Sequence, residues 1–263
     1  MRAHAVRPSS HADLMSCSLL IGTSGWFYKH WLGKFYPPDM RLSETLPFYT
    51  LHFDTVEINN SFYALPGETT VSKWYNVTPP SFCFSAKASR YLTHMKRLKD
   101  PEETWERYAL VMMNLGDKLG PILFQFPKNW GLNLERLAAF LSILPGGNRY
   151  VFEFRNHEWH IPAVYKLLND FNAAFCLYEM NGVESGIELT ADFTYVRLHS
   201  PATEYKGNFE SKLLLPWAER IRIWQTSLKE IYFYFNNDAG GYAIENARKL
   251  KVLLGLAVTP LAI

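Results

Sequence analysis

The chain has 263 residues, 48% hydrophobic and 20% charged, with a formal net charge of +2. This balance excludes a disordered chain, which carries fewer apolar residues and more net charge. It supplies no overall field for a nucleic-acid or membrane partner, which would have to meet a local patch.

Residues 1–18 are polar, include Pro8, Ser9 and Ser10, and lack the apolar core of a signal peptide. They are expected to be a dispensable tail, with Met15 as an alternative start, leaving 19–263 as one folded domain. No run of about 18 apolar residues follows, so no membrane-spanning helix and no membrane partner is expected. Cys17, Cys83 and Cys176 form no CxxC and no metal spacing. Cys83 and Cys176 lie in apolar runs, are expected to be buried and unreactive, and fit a reducing, cytoplasmic setting.

Along the chain, eight short runs rich in Val, Ile, Phe and Tyr predict strands over 19–22, 55–59, 82–87, 122–126, 150–155, 174–178, 195–199 and 231–236. Helical spacing fills the intervals: 43–53, 69–76, 101–119 with Asp100 as N-cap, 133–144, 161–170, 216–229 and 242–254. Only 180–192 lacks a helical pattern. Strand alternating with helix predicts parallel βαβ units. Eight units in a chain of about the usual size predict an α/β fold, a single (β/α)8 TIM barrel with one irregular or missing helix between strands six and seven.

Alternate residues of a strand share a face, and in a barrel one face lines the lumen. Six strands then carry polar residues opposite bulky apolar ones, late in the strand, where TIM barrels hold their sites. Odd strands are expected to bring together Lys87, Glu153, Arg155, Arg197 and His199, and even strands Glu57, Gln125, Tyr178 and Asn236. Lysine and arginine suit a carboxylate or phosphate ligand. Glu57 or Glu153 could serve as general base and His199 or His94 as acid. The same charges could instead be a structural ion network.

After the first strand comes an aromatic loop, Gly22 to Trp31, in which Trp26, Tyr28 and Trp31 could form a stacking wall or a plug over the mouth. It matches neither a dinucleotide fingerprint nor a P-loop.

The order of these pieces resembles the YecE-like family, a domain family of unknown function. The resemblance rests on Gly22-Thr23-Ser24-Gly25-Trp26 with Trp31, Gly33 and Phe35-Tyr36-Pro37; on Val56-Glu57-Ile58-Asn59 with Phe62-Tyr63; and on Ser85-Ala86-Lys87 and Thr93-His94. It continues through Gln125-Phe126-Pro127, Glu153-Phe154-Arg155 with Trp159, Val196-Arg197-Leu198-His199 and Tyr234-Phe235-Asn236-Asn237-Asp238. It implies a TIM barrel, supplies no activity, and shows one departure: Ser200 stands where the family usually has Gly.

The leading expectation is an enzyme acting on a small anionic or phosphorylated substrate, with Trp26, Tyr28, Lys87, Gln125, Arg155, Arg197, Asn236 and Asp238 binding it. A nucleic-acid binder or processing enzyme with an aromatic stacking loop is the first alternative. A metal-dependent isomerase or endonuclease-like barrel, with Glu57, Glu153, His199 and Asp238 around a divalent ion, is the second. The three basic residues nearby disfavour a dication, so no metal ligands are assigned. A non-catalytic interaction protein is a further alternative.

Overall fold

The computed structural model describes residues 17–202 and 207–261. Met15 and the rest of the expected tail up to residue 16 lie outside the described residues. The strands are β1 (Ser18–Thr23), β2 (Thr55–Ile58), β3 (Cys83–Lys87), β4 (Leu119–Phe126), β5 (Tyr150–Phe154), β6 (Ala174–Met180), β7 (Val183–Glu184), β8 (Phe193–Ser200) and β9 (Glu230–Phe235). The helices are α1 (Leu42–Tyr49), α2 (Asn60–Tyr63), α3 (Glu68–Asn76), α4 (Glu102–Met112), α5 (Leu134–Ile143), α6 (Pro162–Asp170), α7 (Ser211–Trp224) and α8 (Tyr242–Leu253).

Eight parallel strands pair in the order β1-β9-β8-β6-β5-β4-β3-β2. The ring closes between β1 and β2 just past the end of β1, where Ser24 bridges to Glu57 and Gly25 N–H donates to Glu57 O at 2.8 Å. Gly22 makes that approach possible, because a Cβ there would stand 2.3 Å from the Thr55 carbonyl oxygen. The fold is the expected TIM-barrel-like arrangement. Between β6 and β8 no helix forms. Instead β7 folds back antiparallel on the end of β6.

Side-chain alternation sorts the core into two layers. Val56, Phe84, Phe124, Phe152, Val196 and Phe233 face outward to the helices in one apolar cluster. Leu123, Val151, Cys176, Tyr195, Tyr232 and Tyr234 fill the lumen in another. Period 2 therefore holds on β4, β5, β8 and β9, and the lumen is packed rather than open.

Helix boundaries move where local signals compete with packing. Asn133 caps α5, its side chain accepting from Arg136 N–H at 2.9 Å. Asp100 does not cap α4. It sits at φ +43°, Pro101 takes the cap position, and Glu102 and Glu103 occupy the first turn. The helix expected over 101–119 ends at Met112. A 3-10 segment, Met113–Lys118, breaks at Gly116, and β4 starts at Leu119. α7 starts at Ser211, ahead of Pro216, rather than at the proline. Pro216, which has no N–H to donate to the Lys212 carbonyl, lies on the exposed side of the helix, as Lys212 does.

Candidate functional site

The late ends of β2, β3, β5, β6 and β8 project their inward residues into one cluster of charge. Arg197, on β8, is 1% exposed and lies across its centre. Its Nη2 donates to Glu57 Oε1 at 2.8 Å and its Nη1 to Glu153 Oε2 at 2.7 Å. Glu57 also accepts from Ser24 Oγ at 2.7 Å and from Tyr195 OH at 2.6 Å. Glu153 accepts from Arg155 Nε, and the Cys176 thiol lies 3.6 Å from its Oε2. Burial pushes the Glu153 carboxyl up, but Arg155 and Arg197 outweigh it and hold the group well below the usual carboxylate range.

The expected parity of layers is corrected here. Glu57, from an even strand, joins Glu153 and Arg197 from odd ones, because a guanidinium at the end of a long side chain reaches across a layer.

Arg155 lies just past the end of β5 and is 8% exposed. Nη2 meets His199 Nε2 at 2.8 Å, Nη1 donates to Met180 Sδ, and the guanidinium stands 4.8 Å from the Tyr178 ring centre. Three of its five N–H donors thus go to Glu153, Met180 and His199. The other two have no partner among the described residues.

Burial first, then Arg155 and Arg197, push His199 well below the ordinary histidine value, so the ring is neutral. Arginine N–H groups face Nε2 and the Asn236 amide nitrogen faces Nδ1 at 3.0 Å, so each ring nitrogen meets a hydrogen-bond donor. A neutral imidazole whose Nε2 already accepts hydrogen bonds is a poor general acid. A carboxylate held by two arginines is a poor base, which bears equally on the roles expected for Glu153.

Lys87 closes β3 and is 9% exposed. Its Nζ donates to Gln125 Oε1 at 2.9 Å and stands 4.1 Å from the Phe62 ring centre. His94 shares both neighbours. Its Nε2 is 3.5 Å from Gln125 Nε2, and its ring meets Phe62 edge-on at 4.9 Å. It sits on a π-helical turn, Tyr91–Met95, rather than in an irregular loop. Burial and Lys87 push it down to about 4.

The remaining expected residues fall elsewhere on the rim. Asp238 pairs with His30 Nε2 at 3.0 Å and accepts from Trp31 Nε1 at 2.6 Å. Burial raises its carboxyl. Trp31 is 1% exposed, so it is a buried anchor and not part of a stacking wall. Trp26 packs edge-on against Trp74 at 5.2 Å. Tyr28 donates to Ser24 O at 2.7 Å. Both line a recess of about 1030 Å³ with Gly25, Asn59, Tyr63 and Trp74.

The four residues considered for a divalent ion do not converge, since Glu57 and Glu153 are drawn to Arg197 while Asp238 is held by Trp31 and His30. Among the described residues no three His, Cys, Asp or Glu side chains are grouped to hold a metal. No helix among them is long and apolar enough to cross a membrane.

Ser24, Phe62, Cys176 and Met180 all touch this cluster without having been singled out as site residues. Cys176 was legible as lumen-facing by strand alternation. Met180 shares that face of β6, and Ser24 and Phe62 depend on the path of the chain after β1 and β2. Ser200, the departure from the family pattern, ties down the turn after β6. Asn181 N–H donates to its Oγ at 3.1 Å, and the hydroxyl lies 3.2 Å from Asn181 Oδ1.

Comparison with known proteins agrees with this architecture. The family described as "Protein of unknown function DUF72" matches residues 20–262. UPF0759 protein YunF of Bacillus subtilis is 26% identical over 277 residues, covering 93% of this chain and 97% of that protein. UPF0759 protein YecE of Escherichia coli K12 is 29% identical over 143 residues, covering 54% of this chain and 50% of that protein. The crystal structure of a DUF72 family protein from Thermotoga maritima superposes with a TM-score of 0.82 at 26% identity, covering 90% of this chain and 99% of that one. One from Enterococcus faecalis superposes at 0.76 and 19% identity, covering 93% and 98%, a likeness of fold alone. The match over nearly the whole barrel, together with the YecE-like motifs at its strand ends, establishes that the chain belongs to the DUF72 family.

Proposed function

We propose that the protein is an enzyme acting on a small anionic substrate, a carboxylate or phosphate compound, bound at the C-terminal mouth against Arg155 and Lys87. The observation that carries this reading is a charge imbalance. Among the described residues, Lys87, Arg155 and Arg197 face only the carboxylates of Glu57 and Glu153, and His199 is neutral. The two arginines already balance the two carboxylates, so Lys87 is left without an anion of its own, and its charged form becomes favourable when one binds.

Arg155 is the recognition residue in this reading, because it keeps two donors for the planar edge of a carboxylate or phosphate. Asn236 and Gln125 flank it as neutral hydrogen-bonding partners. Arg197 acts beneath, positioning Glu57 and Glu153 rather than touching the ligand. No specific observation favours the nucleic-acid alternative, since Trp31 is buried and Trp26 faces Trp74.

The test is calorimetric titration of the full chain with inorganic phosphate and with small carboxylates, repeated on Arg155→Met. Binding by the wild type that the variant loses is the expected result. A wild type that binds none of these anions would remove the reading.

A further inference from the structure

The described structure buries three lysines: Lys87, Lys118 and Lys251. Lys118 donates to Tyr75 O at 2.6 Å, Thr78 O at 2.7 Å and Thr78 Oγ1 at 3.1 Å, which satisfies all three ammonium donors. Lys251 donates to His52 O at 3.1 Å and pairs with Asp54 at 3.6 Å. Lys87 differs from both. It has one acceptor, Gln125 Oε1, one ring face, Phe62, and no carboxylate within ion-pair distance among the described residues. The two carboxylates nearby are already held by Arg155 and Arg197. An ammonium in this setting leaves N–H donors without an acceptor among the described residues, whereas a free amine has one donor fewer to satisfy and carries a lone pair.

We propose that Lys87 is a nucleophilic amine that forms an imine with the carbonyl carbon of an anionic aldehyde or ketone bound at the strand ends. This rests on the anion-site reading above and names the substrate class. In the step, the Lys87 nitrogen forms a bond to the carbonyl carbon. The carbonyl oxygen then leaves with the two amine protons as one water molecule, and the imine nitrogen takes a proton from solvent. No oxidant or reductant is needed. The resulting iminium restores the positive charge of the mouth next to the anion held at Arg155, and it withdraws electrons from the neighbouring carbon.

The electrostatics agree with the geometry. Burial, followed by the charge of Arg197, pushes the Lys87 amine down to about 7. An amine at that value has about a thousandfold more free base at neutral pH than an ordinary lysine. Buried lysines are suited to imine chemistry for this reason.

The experiment treats the full chain at pH 7 with pyridoxal 5′-phosphate, an anionic aldehyde, and sodium cyanoborohydride, then maps the labelled peptide by mass spectrometry. Unphosphorylated pyridoxal is the parallel probe. Lys87 is expected to be reduced onto the phosphorylated probe at least about tenfold faster than exposed lysines, given its larger free-base fraction. Lys87→Arg and Lys87→Met, both folded by circular dichroism, are expected to lose that label. Label spread over surface lysines with none at Lys87 overturns the proposal. Phosphate titration separates the two readings. Phosphate binding without a Lys87 adduct sinks the imine alone, and a Lys87 adduct formed equally by both aldehydes, without phosphate binding, upholds the imine and removes the anion site. Absence of both sinks both.

Discussion

Arg197 and Glu57 meet at 2.8 Å although β8 and β2 stand three strands apart around the barrel. The contact, with its twin to Glu153, makes Arg197 a cross-brace of the lumen. Both carboxylates are fully buried, so removing the guanidinium leaves Glu57 without its ion-pair partner and Glu153 with Arg155 alone. Arg197→Met is expected to destabilise the fold by about 3–5 kcal/mol. Urea unfolding of the variant checks this. A loss below about 1 kcal/mol, the range of exposed pairs, would mean that the brace does not hold the barrel.

Lys87 gives the stability curve a predictable slope. Its folded pKa, about 7, lies below the ordinary 10.5, so between those values the unfolded chain binds a proton that the folded chain does not. Stability from this group therefore rises with pH across that window, by up to about 1.4 kcal/mol per pH unit. Lys87→Met removes the term. Wild type and variant compared by urea midpoint at pH 7, 8 and 9 should diverge in slope, the wild type gaining more. Parallel curves would show an ordinary lysine.

Glu153 acts at the opposite end of the scale. Its carboxyl is held well below the unfolded value, so its contribution is present above that value and is lost as pH falls toward the folded one. Glu153→Gln is expected to flatten the acid limb of the stability curve below about pH 4.3, the ordinary glutamate value. An acid limb of unchanged steepness would assign acid unfolding to other groups.

The closure of the barrel can be tested at one position. A methyl group at Gly22 would press on the Thr55 carbonyl, a backbone atom that cannot rotate away. Gly22→Ala is expected to cost about 1–3 kcal/mol or more by overpacking. Thermal unfolding measures it. An unchanged midpoint would mean that β1 and β2 part easily.

Trp31 and Asp238 anchor the aromatic loop to the segment after β9 across 207 residues of sequence. Trp31→Phe keeps the ring packing and removes the indole donor, leaving Asp238 with His30. A loss of about 1–3 kcal/mol is expected for the one carboxylate oxygen, Oδ1, left without its donor, with anion binding unchanged. Loss of binding without loss of stability would return Trp31 to the ligand-facing role.

Much of the site's framework follows from the sequence alone. Strand alternation on an otherwise apolar barrel decides which residues face inward, and it assigns Glu57, Lys87, Glu153, Arg155, Arg197 and His199 to the lumen. Eight apolar runs with seven helical intervals likewise determined the barrel and its missing helix, because both periods are local properties of the backbone.

What the tertiary structure decided is who partners whom. Arg197 takes both carboxylates, Lys87 is left with an amide and a ring, and Trp31 turns inward to Asp238. Those choices depend on the stagger of strands, the reach of long side chains and the path of loops. Residues far apart in the chain settle them together, and no local pattern records the outcome.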